Sequence, residues 1–447
     1  MKMGKQAITK IQVALVVVLM VAVIAASGYW LLMMQPKPLE EKVTLRFVEF
    51  AAGVTEMKAA LAEFERQYPN LKVNFETYGA GDPYYSAVST MFVAKEEIDI
   101  VRVETWLGEW AKNGWVIPLT EDKFPGVEKY RQRLYPGAVD YMSYKGQLYG
   151  LPSFGGTLVL CYNEEILQKA GVDPVFKTWD DFTAACLKIK EKTDIKYPLF
   201  GNWEKAYYGF PWNWYHITAS MGGRIMDENY KCQFAEGQPA YRALQWMVDA
   251  VRKHRIVDPA SIEGTWTDVR DLFHTRKIAF EMMRAAYLSV ANNASVSRIA
   301  GNAKFTLMPE THGQLAWTTL YCISSTSKHK DQAWTLLKFL GGEDKYGKLF
   351  RAKANAISTG GGIVYPELYD DPDVIAKLKT FLDVKLLRET EKYGVSMSYL
   401  TPCISEAWYI AWATEVSTQG HKAILGEVTV RQALDAIESK INQLKAK

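Results

Sequence analysis

Motifs that would announce an enzyme or a metalloprotein are missing from this chain. Its six histidines are scattered without HxxxH or comparable spacing, and its five cysteines (Cys161, Cys186, Cys232, Cys322 and Cys403) form no CxxC pair, so the sequence proposes no metal site. An odd cysteine count leaves at least one thiol unpaired. Buried small hydrophobes are the plain reading of all five, and one disulfide between unspecified partners stays open. No GxSxG nucleophile elbow occurs. The run Gly342-Glu343-Asp344-Lys345-Tyr346-Gly347-Lys348 mimics a phosphate loop, yet Leu349 replaces the hydroxyl residue such a loop needs, and a helical pattern precedes it. A glycosidase would need two carboxyl groups about 5–10 Å apart across the scissile bond, and no pair stands out. The chain is therefore expected to be no enzyme and to need no cofactor.

Charge of one sign is lacking too. Residues 1–42 hold five Lys and two Glu of the 53 basic and 50 acidic residues, which leaves 48 of each in 43–447. Without a one-signed field, nucleic acid is not an expected partner. No period of 20–50 residues repeats, and no low-complexity tract follows residue 42. The one long apolar run, Val13 to Met34, is broken only by Ser27 and Gly28 and as a helix spans roughly 33 Å, enough for a bilayer core. Lys2, Lys5 and Lys10 should stay inside while Tyr29 and Trp30 suit the outer interface, which puts everything after Gln35 on the extracytoplasmic side. Removal as a signal at Ala25-Ala26-Ser27 is the competing reading, but it would leave an apolar Tyr-Trp-Leu-Leu-Met-Met start. An uncleaved anchor over 1–34 is favoured, followed by a polar, proline-bearing tether over 35–42. The first cysteine is Cys161, so no acyl anchor can form nearby.

About 405 residues remain, too many for one core and suited to two lobes. Val43 to Phe50 reads as a strand, Thr55 to Tyr68 as a helix with Met57, Leu61, Phe64 and Tyr68 on one face, and Leu71 to Phe75 as a second strand. That order makes a parallel βαβ unit, whose ligands lie off the C-terminal strand ends, here Glu49 to Ala52. Ile98 to Val103 is a further strand, with Glu104-Thr105-Trp106 as its exit loop. Ser327 is expected to cap a helix through Trp334 and Leu340, and Thr429 with Gln432 to cap the last one.

The most informative stretch is Tyr144 to Asp181. It opens with a hairpin signal at Lys145-Gly146, is punctuated by Gly150-Leu151-Pro152, and continues as an almost unbroken apolar strand from Thr157 to Tyr162. A helix from about Glu164 to Ala170 should stop at Gly171, and Thr178 with Asp181 forms a capping box for the next. Gly146, Tyr149-Gly150-Leu151-Pro152, Tyr162-Asn163, Ala170-Gly171 and Thr178-Trp179-Asp180 together resemble the signature of the maltose-type family of extracellular solute-binding proteins, the capture subunits of sugar ABC importers. The resemblance extends from about Val43 to the C-terminus. It implies an α/β, two-lobed periplasmic-binding-protein-like fold of type II with three hinge crossings, near Leu151–Ser153, Pro309–Gly313 and Lys353–Ile357. Lobe I would be 43–152 plus 313–353, and lobe II 153–312 plus 354–447. The implied partners are a small sugar, ABC permease subunits and, through the N-terminal segment, the membrane; a monomer is expected. A ligand-sensing ectodomain is the alternative, as is the same fold holding a polyamine, phosphate ester or peptide.

A sugar ring has a C–H face and a hydroxyl edge, so its site needs flat aromatics and a few fixed polar groups. The chain has 14 Trp and 25 Tyr, most of which must be packing. Location selects Trp212 and Trp214, with Tyr215, from the aromatic run Trp203–Tyr215; Trp106 from a strand exit; and Tyr287 and Trp408 from positions matching the family's sugar-facing aromatics. Trp317 and Trp266 are less well placed. Glu49, Glu104 and Arg284, at strand exits, are the polar candidates. Where the resembling family has a carboxylate six residues before Tyr162, this chain has Gly156, so backbone is expected to approach the ligand there.

Overall fold

A computed structural model describes residues 42–51 and 53–445. The expected anchor (1–34) and all but the last residue of the tether lie outside the described residues. Among the described residues, no helix is long and apolar enough to cross a membrane.

Ten strands occur among the described residues: β1 (Val43–Phe50), β2 (Leu71–Tyr78), β3 (Ile100–Val103), β4 (Ser143–Tyr144), β5 (Gln147–Leu148), β6 (Gly150–Asn163), β7 (Phe280–Arg284), β8 (Ala303–Thr306), β9 (Gln314–Ile323) and β10 (Gly394–Ser396). The main sheet runs in the order β2-β1-β3-β9-β6-β7, with β10 on β9 and β8 on β6. β1 lies parallel to β2 and β3, joined by the expected crossover helix, here Val54–Gln67. Beyond β3 the sheet turns antiparallel, except where β10 joins β9 in parallel. β9 pairs with β3 through Leu320–Ile323, while its first residues, Gln314–Ala316, take β10.

The strand β6 ties the two ends of the sheet together. Its first half pairs with β9, from Gly150 opposite Cys322 to Thr157 opposite Ala316, and its second half pairs with β7 and β8. The sequence suggested a break at Gly150-Leu151-Pro152 and a strand only from Thr157. Instead the strand runs through, because the register shifts between Pro152 and Phe154. A bulge accommodates a proline that has no N–H to give the ladder.

Local chemistry elsewhere follows the sequence. Lys145 and Gly146 take positive φ (48° and 77°), the two-residue turn that joins β4 to β5. The helix Glu164–Ala170 ends on a left-handed Gly171, and Thr178 and Asp181 exchange the expected capping bonds ahead of Trp179–Lys192. Thr429 and Gln432 do the same for the last helix. Ser327 departs from its expected role. The helix Lys330–Gly341 starts behind His329, and the Ser327 hydroxyl donates to buried Asp99 while accepting the His329 N–H. Lys353–Ile357 lies inside the helix Phe350–Thr359, and the chain turns only at left-handed Gly360.

All five cysteines are buried and free, which matches the plain reading as buried small hydrophobes and not the disulfide left open beside it.

Candidate functional site

Parallel strands present their C-terminal ends on one rim. β1 brings Glu49 there and β3 brings Arg102, whose guanidinium lies 3.1 Å from Glu49 and 3.2 Å from Glu104. The Tyr321 hydroxyl on β9 donates to the second Glu49 oxygen (2.6 Å), Thr319 accepts from Arg102 (3.3 Å), and the Phe50 ring lies 4.3 Å under the guanidinium. Burial disfavours the Arg102 charge, but Glu49 and Glu104 more than offset it and hold its pKa above the usual arginine value. Glu49, only 2% exposed, is a fixed part of this clamp. Glu104 keeps one oxygen for the Tyr207 hydroxyl (3.3 Å). Burial, reinforced by Glu104, pushes the Tyr207 and Tyr141 hydroxyls well up, so both remain proton donors.

Trp106 follows directly and packs against Trp110 (5.9 Å between centroids), Tyr85 (5.6 Å) and, edge-on, Tyr207 (6.4 Å). The helix Leu107–Lys112 starts here, and Gly108 lets the backbone of Ser405 come so close that any Cβ would collide with its carbonyl.

A second cluster lies on the strand pair β6–β9. Trp317 stands opposite Gly156, and its ring meets Phe154 (5.7 Å) and Trp212 (5.9 Å). Arg284, at the end of β7, sits 5.0 Å from the Trp317 ring, 5.3 Å from Phe154 and 4.8 Å from Tyr287, and donates to the Tyr287 hydroxyl (2.6 Å). Gly156 has φ 141°, a conformation other residues avoid, and a Cβ there would meet nothing within 4 Å. A recess of about 440 Å³ adjoins it, lined by Gly156, Ala316, Trp317, Thr318 and Glu391. That size suits a small-molecule site. A larger hollow, about 560 Å³, lies at Val43, Leu71 and His329, where β1 and β2 begin. It is at the wrong end of the parallel strands to be the ligand rim.

Several buried donors in these clusters lack any partner. They include the indole N–H groups of Trp106 and Trp317 and the Arg102 Nε–H. Buried polar groups are ordinarily paired, so these donors are free to meet polar atoms from outside the chain.

Not every sequence candidate belongs here. Trp214 does not: it is fully buried, donates its indole N–H to the Ala240 carbonyl (2.8 Å), and packs on Phe234 and Tyr215. The helix Phe210–Ser220 turns about 200° between residues 212 and 214, so only one of the two can face the strand pair. Trp408, half-buried at the start of the helix Tyr409–Leu425, sits edge-on to Tyr230 (5.6 Å), whose hydroxyl is bonded to Glu406. Trp266 opens a helix behind its own Thr265 capping box. The sequence reading passed over Arg102, Phe154, Tyr207 and Tyr321. Arg102 lay inside an expected strand and Tyr321 in a segment with no expected element, and the contacts that matter join each to Glu49, 53 and 272 positions away. Among the described residues, no group of three or more His, Cys, Asp or Glu is arranged to hold a metal.

Comparison with known proteins agrees with this architecture. The family model for bacterial extracellular solute-binding proteins matches residues 49–346. The chain is 33% identical over 134 residues to an arabinooligosaccharide-binding protein of Bacillus subtilis, a match covering 29% of this chain and 31% of that protein. It is 23% identical over 269 residues to a mannitol-binding protein of Pseudomonas aeruginosa, covering 58% and 60% respectively. The chain thus spans less than two thirds of the length of these relatives. Among solved structures, maltose-bound MalE3 of T. maritima superposes with a TM-score of 0.74 at 21% identity, over 90% of this chain and 99% of that one. The family match covers most of the chain, and the chain belongs to the bacterial extracellular solute-binding proteins.

Proposed function

We propose that this protein is the extracytoplasmic capture component of an ABC importer and holds a carbohydrate between two lobes that close on it. One observation carries the reading: flat rings from distant parts of the chain (Trp212, Trp317 and Tyr287) gather around the strand pair β6–β9, the free indole N–H of Trp317 among them, while a further aromatic cluster with its own free donor forms around Trp106 at the exit of β3. Rings suit a sugar's C–H face and the free donors suit its hydroxyls. The arabinooligosaccharide- and mannitol-binding relatives support a sugar or polyol as the solute class. Glu104 and Trp106 would come from lobe I and Tyr207 and Trp212 from lobe II, so their full set of contacts exists only with the cleft shut. Ligand then shifts the population toward the closed form, a hinge mechanism for which periplasmic binding proteins are a standard illustration. The lobe boundaries, the N-terminal membrane anchor, the monomeric state and the lack of catalysis are parts of the same proposal.

Titration calorimetry with a panel of mono- and oligosaccharides and polyols should find at least one ligand of micromolar or tighter affinity, accompanied by a change in tryptophan emission. Trp212→Ala should weaken that ligand about 10-fold or more while leaving the melting temperature within a few degrees. A panel without heat or fluorescence response would overturn the reading.

A further inference from the structure

We infer that Arg284 is the seat for an anionic group on the ligand, so that the solute is an acidic saccharide rather than a neutral one; this rests on the saccharide reading above. Arg284 is half-buried at the end of β7, and Phe154, Tyr287 and Trp317 surround its guanidinium within 5.3 Å. Ring faces attract the cation and exclude water from it without cancelling its charge. One of its five N–H donors goes to the Tyr287 hydroxyl, and no carboxylate among the described residues comes within ion-pair distance. Glu391 shares with Arg284 a narrow hollow of about 20 Å³ but is bonded to the Tyr369 hydroxyl (3.4 Å) instead.

A half-buried guanidinium with no counter-charge beside it loses part of its hydration uncompensated, and an arriving oxyanion offsets that loss. The fork of N–H groups matches a carboxylate or phosphate in two parallel hydrogen bonds, a geometry that a neutral hydroxyl cannot complete. The hollow that Arg284 lines holds only about 20 Å³, so the group would reach it from the recess of about 440 Å³ next door, with Gly156, whose Cβ position is open, lining both. The neighbouring indole N–H of Trp317 is a neutral single donor and fits a hydroxyl of the same sugar. Uronates and sugar phosphates share the required chemistry, and the experiment separates them.

The test is calorimetry on the whole protein with matched pairs: glucose with glucuronate, galactose with galacturonate, their disaccharides likewise, and glucose 6-phosphate as a third arm. The inference expects the acid member of at least one pair to bind about 10–100-fold more tightly than the neutral member, with affinity falling as salt is raised. Preference for the uronate over the phosphate assigns a carboxylate, and the reverse assigns a phosphate ester. Arg284→Gln should erase the preference, bringing the acid member's affinity down to or below the neutral member's, and Arg284→Lys should retain part of it. Neutral members binding as tightly as the acids would overturn the inference and leave the saccharide reading standing. Silence across every pair, neutral and acidic alike, would remove both. Should Arg284→Gln fail to fold, the pairwise preference and salt dependence of the unmodified protein decide.

Discussion

Arg102 and Arg284 sit in the two clusters in opposite circumstances. Arg102 is clamped by Glu49 and Glu104, with Thr319 and Phe50 completing its shell. Arg284 has three rings and one hydroxyl. A protein can hold a cation out of water either by supplying its counter-charge or by wrapping it in ring faces. The first course makes the arginine part of the frame, and the second leaves its charge unspent.

The contrast can be broken most sharply at Arg102. Arg102→Ala strands two carboxylates, one of them fully buried, and should cost about 3–5 kcal/mol in urea unfolding; a loss below about 1 kcal/mol would show that Arg102 is no clamp. The acids differ as well. Glu49 and Glu104 face a permanent cation, whereas burial lifts the Glu391 carboxyl, beside Arg284's recess, to about 7, with Tyr369 and Thr157 pulling weakly the other way. The folded state therefore binds the Glu391 proton more tightly than the unfolded chain, whose carboxyl titrates near 4.3. Stability should fall as pH rises from about 4.5 through about 7 and then level off. Glu391→Gln should flatten that fall and leave the variant about 1–3 kcal/mol more stable at pH 8, measured by thermal or urea unfolding across pH. The smallest effect belongs to Arg284. Because its partners are rings, Arg284→Ala should change stability by only about 1 kcal/mol, and a loss matching that of Arg102→Ala would erase the distinction.

Much of the frame was legible because its signals are local. Thr178 with Asp181, Gly171, Lys145-Gly146 and Thr429 with Gln432 each fix a turn or helix end within three residues. Ser327 was misread because a hydroxyl ahead of a helix looks the same in sequence whether it caps or reaches across to Asp99, 228 positions away. Pro152 read as a stop because a bulge, which depends on the partner strand, cannot be seen in one strand alone. The site was half visible. Aromatic density pointed to Trp212 and family position to Tyr287, yet the same density also promoted Trp214, which the helix turns into the core. Arg102 was invisible as a site residue because its meaning lies in which acids the sheet sets beside it.

The five cysteines, all buried with burial holding their thiols above the ordinary range, have a practical consequence. Thiol reagents attack the thiolate, so the native protein should react only slowly with maleimide dyes. One cysteine introduced on the surface of each half would then take a fluorophore selectively, without stripping the native ones first. The distance between two such labels would report directly, molecule by molecule, whether adding a solute draws the halves together.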